Sequence, residues 1–448
     1  MGNSIGVSRS EMEQYLGIHM ISSIVKMPSY RMYWGEGTRY GPIAESMSRN
    51  RFETIRAYIH VNDNTNLPDG NDPAHDKLFK IRPLIDAVRD NMKKVPLDSK
   101  VSIDELIIPF KGISHMKQYN PKKPHKWGIK VFALASKCGI IHDYEIYVGK
   151  GTVTETKLGI CGDIVVRLVD IVPKDKNYKL FIDNWFNSHR LLCHLKEVGL
   201  LAVGTIRPDR IGRCPFTKDK DLLEEGRGSM DVKLDTENNI IACKWADNKT
   251  VCLASTYVGA EPVDEVMRWS TAQKQRVAVQ RPAIVREYNE AMGGVDLHDM
   301  LVELYRIDIK VKRYYMRIVM HLLDMSVVNA WLVHRRDLSL LEANSKPMPL
   351  IKFKSQLACS LLQPKQVKKR GRPSIAEPPT RKKRSYSMPA RPADEIRLDN
   401  TEHWPIPVAE RKRCKNCIDK YCQIQCSKCD VFLCLTQNRN CFVDFHRA

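Results

Sequence analysis

The sequence predicts a mixed α/β protein with a helical N-terminal segment and a small cysteine-rich module at its C-terminal end. Apolar residues recur at helical spacing within residues 1–98, for example in EMEQYLGIHMISSIV and FKIRPLIDAVRDNMKKV. Strand-like runs such as VSIDELIIPF and YKLFIDNWF then alternate with helix-like runs such as DIVVRLVDIV, as they do in mixed α/β domains. Seven of the 14 cysteines fall between Cys414 and Cys441, which marks a separate module.

These patterns divide the chain into six segments. The β-rich stretch in the middle, with candidate strands GSMDVKLD, NNIIACKWAD and KTVCLASTYV, interrupts the α/β pattern and predicts an insertion. A stretch rich in Pro, Ser and charge, without a usable apolar period, predicts a disordered linker. In order, the predicted segments are a helical domain (1–98), an α/β core (99–206), a β-rich insertion (207–288), the rest of the core (289–345), the linker (346–408) and the cysteine-rich module (409–448).

The charge balance points to a polyanionic partner. The chain has 72 Lys and Arg against 52 Asp and Glu, a net charge of +20, and such a surface releases condensed counterions when it meets phosphates. The most apolar helical stretch, RIVMHLLDMSVVNAWLVH, contains Arg317, His321, Asp324 and Asn329, so we expect a buried core helix and no membrane partner. The first residues lack the features of a signal peptide, and we expect an intracellular protein.

The linker carries two basic clusters spaced as in a bipartite nuclear localisation signal. They predict a nuclear protein that binds an import receptor. The first contains Arg-Gly-Arg-Pro, which resembles the AT-hook core that enters the minor groove of DNA, although a solvated charge run would look the same. The residues expected to bind DNA are Lys368, Lys369, Arg370, Arg372, Arg381, Lys382, Lys383 and Arg384.

The C-terminal cysteines have the spacing of zinc ligands. Two Cys-x2-Cys pairs in so short a segment predict structural Zn²⁺ held by thiolates. The expected ligands are Cys414, Cys417, Cys426, Cys429, Cys434, Cys441 and His446. In a cross-braced arrangement the first pair, with Cys434 and Cys441, holds one ion, and the second pair, with His446, is one ligand short. Cys422 could supply that ligand, or the second site could be incomplete.

Three acidic residues lie at separate places in the α/β pattern. Asp104 lies inside a strand-like run, Asp183 follows the apolar run LFI, and Asp296 follows a glycine pair in MGGVDLHDM. Asp296 and Asp299 could be a solvated helix face, Asp183 could open a turn, and Asp104 could pair with a lysine. Alternatively, carboxylates converging from rigid elements suit a pair of Mg²⁺ or Mn²⁺ ions.

The motifs SIDELIIPFKG, FIDNWFNS, GTIR and MGGVDLHDM, in this order, resemble the piggyBac transposase family. RMYWG, RNRFETIRAYIHVND, KPHKWGIK and the C-terminal cysteines extend the resemblance over nearly the whole chain. The resemblance implies an RNase H-like core of the DDE/D type with a β-rich insertion. In it, Asp104, Asp183 and Asp296 match the catalytic aspartates, and Asp299 matches a further acidic residue beside the third.

By the same resemblance, the activity is metal-dependent cutting of transposon ends, hairpin formation and joining into TTAA targets in double-stranded DNA by a homodimer. The chain begins shortly before RMYWG, so residues 1–98 are expected to be part of a larger dimerisation and DNA-binding domain. The alternative is a domesticated nuclear DNA-binding protein that no longer cuts. The acidic set favours the enzyme, and the short N-terminal segment favours the domesticated protein. A third hypothesis, a nuclear interaction scaffold organised by the zinc module, leaves the aspartates without a role.

Overall fold

The computed structural model describes residues 5–70, 72, 75–121, 123–341, 346–362, 392, 394–417 and 419–447. It divides into two compact units, 1–367 and 368–448, which we describe separately. The two basic clusters predicted to bind DNA and an import receptor lie outside the described residues.

The first unit begins with four helices: α1 (Arg9–Ile24), α2 (Gly41–Ala44), α3 (Arg49–Tyr58) and α4 (Arg82–Lys93). Helix α1 begins with a capping box, in which Glu11 N–H donates to Ser8 Oγ at 3.2 Å and Ser8 N–H donates to Glu11 Oε2 at 2.9 Å. Arg51 of α3 donates to Glu11 Oε1 at 2.7 Å. This ion pair, with the buried contact of Tyr15 and Phe52, joins α1 to α3.

A mixed sheet follows the helices, with further helices between its strands. In chain order these elements are β1 (Lys100–Pro109), β2 (Lys117–Tyr119), β3 (Trp127–Ser136), β4 (Ile141–Ile146), α5 (Gly159–Leu168), β5 (Lys179–Ile182), α6 (His189–Glu197), β6 (Leu201–Thr205), α7 (Asp219–Glu224), β7 (Met230–Asp235), β8 (Ile240–Ala246) and β9 (Thr250–Ser255). Strand β3 is antiparallel to both β4 and β1, and β1, β5 and β6 are parallel. The order β4-β3-β1-β5-β6 is the one expected of an RNase H-like core.

The insertion is joined to this sheet rather than folded apart from it. Strand β9 pairs with β6 in antiparallel fashion, and β8 and β7 extend the same sheet. Side chains such as Trp245 and Leu253 share a core with Phe181 and Val203 of the central strands. Three strands of the predicted insertion at 207–288 thus extend the sheet of the core. Only the hairpin of β10 (Asp264–Ser270) and β11 (Gln275–Arg281) forms a sheet of its own within this range.

Four helices complete the first unit: α8 (Ala283–Ala291), α9 (Gly294–Leu304), α10 (Tyr314–Leu341) and α11 (Leu350–Leu362). Among the described residues, α10 is the one helix long and apolar enough to cross a membrane, and 72% of its apolar window is buried inside the protein. Its apolar side chains therefore belong to the core.

Helix α11 lies where the sequence predicts the start of a disordered linker, and that part of the prediction is wrong. The helix packs against α1, and Ala358 and Leu362 are buried in the core that α1 and α3 share. Its apolar residues do recur at helical spacing in LIKFKSQLACSLL. The Pro- and Ser-rich composition of the residues that follow concealed this short helix.

The second unit is a small module with little regular structure. Its elements are α12 (Asp394–Arg397), β12 (Pro405–Arg413), β13 (Tyr421–Cys426), β14 (Leu435–Thr436), β15 (Arg439–Asn440) and α13 (Cys441–Arg447). Strand β12 pairs with β13, and β14 pairs with β15. The module begins before the predicted boundary at 409, because β12 starts at Pro405 and its pairing with Cys426 is part of the module.

Candidate active site and metal centres

Two of the acidic residues lie at the same level on adjacent parallel strands. In the pairing of β1 with β5, Ile103 is the partner of Ile182. Asp104 and Asp183 each follow one of these residues, and neighbouring strands lie about 4.8 Å apart. The fold therefore places these two residues side by side on rigid elements of the sheet.

Helix α9 brings the third aspartate over the same face of the sheet. Side chains alternate along β1, so Asp104 points to the same face as Leu106 and Ile108. Those two residues share a buried core with Val295 and Val302 of α9. Asp296 follows Val295 in the first turn of α9, and its side chain is 64% exposed at the edge of this contact.

Helix α9 lies this close to the sheet because its first residue is glycine. A Cβ at Gly294 would lie 2.3 Å from the carbonyl oxygen of Ser136 and 3.1 Å from Ser102 Oγ. No other residue type fits such a contact without moving the helix or the strands. The preceding Gly293 has open space at the corresponding position.

A lysine from the loop between β2 and β3 lies among the carboxylates. Lys123 Nζ donates to Asp296 Oδ1 at 2.9 Å, and its side chain is 18% exposed. Burial lowers the pKa of Lys123, but the hydrogen bond to Asp296 and the charges of Asp104 and Asp299 outweigh burial, and the pKa is raised. Asp296, Asp299 and Lys123 also line a pocket of about 360 Å³.

The site carries more negative than positive charge. The pKa of Asp104 is raised to about 7, chiefly by burial and also by the carboxylates of Asp296 and Asp183, against the opposing effects of the Glu105 N–H and Lys123. Burial likewise raises the pKa of Asp299 to about 6, with Asp296 adding to the effect.

Tyr288 of α8 lies within electrostatic reach of all three aspartates. Burial raises the pKa of its hydroxyl, and Asp183, Asp104 and Asp296 each add to the shift. One phenol therefore senses all three aspartates, which place their negative charge around a single region.

The donor set fits hard divalent cations, which prefer carboxylate oxygens. Within the described part of the chain, however, the aspartates do not form a group with all donor oxygens within 4.8 Å of one another. The side chains would have to turn inward, and Lys123 would have to release Asp296, for a shared ion to be held. The structure thus brings Asp104, Asp183, Asp296 and Asp299 to one face without preforming a cage.

The second unit contains two groups whose donor atoms do lie within 4.8 Å of one another. The first consists of Cys414, Cys417, Cys434 and Cys441, the set expected from the spacing. Cys417 Sγ lies 3.8 Å from Cys434 Sγ, and the Cys434 N–H points to Cys414 Sγ at 3.4 Å. Four thiolates in this arrangement are the donor set of structural zinc sites.

The second group consists of His403, Cys426, Cys429 and His446. His403 Nδ1 lies 3.3 Å from Cys426 Sγ and 3.5 Å from Cys429 Sγ, while its Nε2 lies 2.9 Å from Asp399 Oδ1. A carboxylate on the outer nitrogen is the usual way in which a metal-binding histidine is oriented.

His446 is oriented in the same manner. Its Nδ1 lies 2.7 Å from the carbonyl oxygen of Phe442, which fixes the proton on Nδ1. Its Nε2 is buried without a hydrogen-bond partner, and its ring centroid lies 4.1 Å from that of His403. A buried, unprotonated nitrogen facing two thiols and a second imidazole fits a metal ligand. The fourth side chain that the structure groups with Cys426, Cys429 and His446 is therefore His403 and not Cys422.

Comparisons with known proteins agree with this architecture. The sequence model of a family described as Transposase IS4 matches residues 2–331. PiggyBac transposable element-derived protein 3 of Homo sapiens is 32% identical over 455 residues, which cover 99% of this chain and 71% of that protein. The chain belongs to the piggyBac transposase family. A further human relative, piggyBac transposable element-derived protein 2, is 30% identical over 420 residues, covering 92% of this chain and 67% of that protein.

The fold is also that of a solved piggyBac transposase. The cryo-EM structure of a piggyBac transposase synaptic complex with hairpin DNA matches with a TM-score of 0.66 and 20% identity, covering 97% of this chain and 90% of that one. The family resemblance and the fold class predicted from the motifs are thus confirmed.

Two residues of this piggyBac-family chain were missed by sequence reasoning. Lys123 lies in KPHKWGIK, a motif that supported the resemblance, but nothing in its spacing indicates contact with Asp296 across 173 positions. His403 is a lone histidine before the first cysteine. The odd count of seven ligands was the signal that could have directed attention to it.

Proposed function

We propose that this chain is a DNA transposase, which cuts transposon ends and joins them to TTAA targets in double-stranded DNA. The observation that supports it most is the placement of three aspartates on rigid elements of the core. Asp104 lies within β1, Asp183 follows β5, and Asp296 lies in the first turn of α9. Tyr288, which senses the charge of all three, supports a common site.

The chemistry needs divalent cations, and the chain offers them carboxylates. Asp104, Asp183 and Asp296 would hold Mg²⁺ or Mn²⁺, and Asp299 lies beside them in the same pocket as Asp296. Bound metal would activate a water and stabilise the leaving 3′ oxygen. Burial and, to a smaller extent, the neighbouring aspartates raise the pKa of Asp104, and a bound cation would offset both effects. Lys123 offsets part of it by its hydrogen bond to Asp296.

The second unit would act as a zinc module with a structural role. The group of four cysteines and the group of two cysteines and two histidines would each hold one Zn²⁺, and metal of this kind stabilises modules too small to fold on apolar contacts alone. We propose that this module and the basic clusters at Lys368–Arg372 and Arg381–Arg384 contact DNA near the transposon ends. The same clusters would bind an import receptor and direct the protein to the nucleus.

The relatives support DNA as the partner, and they are compatible with either an active transposase or a DNA-binding protein that does not cut. The solved neighbour is described as a synaptic complex with hairpin DNA, which supports DNA binding by this chain as well. Assembly as a homodimer is part of the same proposal. The human relatives are described as derived from a transposable element, which supports the alternative of a domesticated DNA-binding protein that does not cut.

A cleavage assay separates these versions. The protein is incubated with DNA that carries the repeats flanking its own gene, with Mg²⁺, with Mn²⁺ or with a chelator. We expect nicking at the repeat ends that requires the metal. Binding of the repeats without nicking under any metal condition would overturn the transposase and leave the domesticated protein.

A further inference from the structure

The segment from Lys111 to Lys130, here termed the basic hairpin, has an unusual composition. It is rich in lysine, contains two histidines and has no Asp or Glu. Strands β2 and β3 form its two arms, with Lys117, Gln118 and Tyr119 paired to Ile129, Gly128 and Trp127. A segment of this charge next to an acidic site favours a polyanionic ligand.

The basic hairpin exposes two aromatic rings that already stack on each other. Tyr119 and Trp127 are cross-strand partners, and their ring centroids lie 4.8 Å apart with an angle of 48° between the planes. Tyr119 is 52% exposed and Trp127 is 51% exposed. Lys117 Nζ lies 5.2 Å from the centroid of the Trp127 ring. The two rings are therefore held in place by strand pairing, Trp127 contacts the Lys117 ammonium group, and both rings are about half exposed to solvent.

The ring pair lies on the face of the sheet that carries the acidic site. Side chains alternate along β3, so Trp127 points to the same face as Ala133, which is the partner of Asp104 on β1. Six residues of strand separate Trp127 from Ala133, a distance of roughly 20 Å. The loop that leaves Tyr119 and returns at Trp127 also contains Lys123, which bonds to Asp296.

We propose that Tyr119 and Trp127 form a platform on which unpaired bases of a DNA strand stack, on the face of the sheet that carries the active site and roughly 20 Å along the strand from it. This inference rests on the proposed function, because it takes DNA as the substrate. Aromatic rings within a positively charged groove bind single strands by stacking, which any base permits. A paired duplex hides the faces of its bases, so the platform selects DNA with unpaired bases. The lysines around the rings supply the contacts to phosphate that a protein partner would not need.

The test measures DNA binding by the full-length protein without divalent metal, so that cleavage plays no part. One probe is a duplex with a short single-stranded extension that contains 2-aminopurine, and the other is the same duplex with blunt ends. We expect wild type to prefer the extended duplex and to quench 2-aminopurine. Trp127→Ala should bind the extended duplex about tenfold more weakly, with unchanged binding of the blunt duplex.

Two further variants make the result specific. Trp127→Phe keeps a flat ring and should restore most of the preference. Trp269→Ala removes a tryptophan of similar exposure, 57%, from β10 and should have no effect on the preference. Because Tyr119 and Trp127 are exposed, the thermal unfolding of each variant should match that of wild type.

Equal binding of the extended duplex by wild type and Trp127→Ala would overturn the platform. An equal loss for both duplexes would also overturn it, because it would indicate phosphate contact rather than stacking. If wild type shows the preference and the quenching but never nicks DNA, the proposed function fails while the platform stands. If wild type nicks DNA and Trp127→Ala keeps the preference, the platform fails while the proposed function stands.

Discussion

The carbonyl oxygen of Ser136 lies 2.3 Å from the point that the Cβ of any other residue would occupy at Gly294. This contact sets the height of helix α9 above the sheet, and with it the position of Asp296 two residues later. The position of Asp296 thus depends on the absence of a side chain at Gly294.

Gly294→Ala should therefore displace α9 and impair the site. We expect a loss of about 1–3 kcal/mol in the free energy of unfolding, as for overpacked cores. Cleavage should fall about a hundredfold, because small displacements of reacting groups have such effects. Gly293→Ala is the matched control, since its Cβ would meet nothing within 4 Å. Equal behaviour of the two variants, by denaturant unfolding and by nicking, would contradict this account of α9.

The assignment of His403 as a metal ligand predicts the zinc content of the second unit. Wild type should contain two zinc ions per chain, and His403→Ala should contain about one, because the group of four cysteines remains intact. Cys422→Ser is the control and should keep both ions, since Cys422 belongs to neither group. Metal analysis of the purified full-length variants measures this. Loss of zinc from Cys422→Ser but not from His403→Ala would reverse the assignment.

A buried ion pair joins α11 to α10, and a hydrogen bond from the same lysine reaches the residue that follows α9. Lys354 Nζ donates to Asp324 Oδ1 at 2.7 Å and to the carbonyl oxygen of Tyr305 at 2.6 Å, and both charged side chains are 3% exposed or less. Asp324 also accepts the Ile307 N–H at 2.8 Å.

Removing one partner of this pair leaves the other charge buried. Lys354→Met should lower the free energy of unfolding by about 3–5 kcal/mol. The double variant Lys354→Met with Asp324→Asn should recover much of that loss, because the uncompensated carboxylate is gone. Denaturant unfolding of the two variants provides the comparison. A double variant less stable than Lys354→Met would show that the pair itself is not the cause.

Stability at low pH should depend on His19. Burial lowers the pKa of this imidazole to about 3, with the charge of Arg56 adding to the effect, against an ordinary value of 6.5. Between pH 6.5 and about 3, His19 is protonated in the unfolded chain but stays neutral in the folded protein. The free energy of unfolding therefore falls as the pH falls towards 3. The slope from this residue is about 1.4 kcal/mol per pH unit.

His19→Met should remove that slope, and His60→Gln, which replaces an exposed histidine, should not. Thermal or denaturant unfolding at several pH values between about 7 and 5 measures the difference between each variant and wild type. A difference between wild type and His19→Met that does not change with pH would contradict a buried neutral imidazole.

Much of the core could be predicted because its signals are local. The alternation in VSIDELIIPF and the apolar run before Asp183 each fix a strand, and the glycine pair fixes the start of α9. The face that α9 buries was harder to predict. Helical spacing alone predicts an apolar stripe of Leu297, Met300, Leu301 and Leu304. Met300 and Leu304 are instead 49% and 53% exposed, because the helix packs the side with Val295 and Val302 against the sheet.

Contacts between residues far apart in the sequence could not be predicted, because no local sequence pattern indicates them. His403, the eighth side chain of the two possible metal-binding groups, has no short spacing to any cysteine, and its position near Cys426 depends on how β12 pairs with β13. Helix α11 lies within the predicted linker 346–408, and the Pro, Ser and charged residues that follow it dominate the composition of that segment. Lys123 reaches Asp296 only because the loop between β2 and β3 folds over α9.

The most direct test of the metal-dependent active site is the pair Asp183→Asn and Asp170→Asn. The first substitution removes one negative charge from a proposed metal ligand with almost no change in shape. The second removes one negative charge from an aspartate that is exposed on the surface of the same domain. We predict that Asp183→Asn loses Mg²⁺- and Mn²⁺-dependent nicking of transposon ends while it keeps its fold and its salt-sensitive DNA binding, and that Asp170→Asn nicks like wild type. Nicking by Asp183→Asn at the rate of wild type would contradict the account.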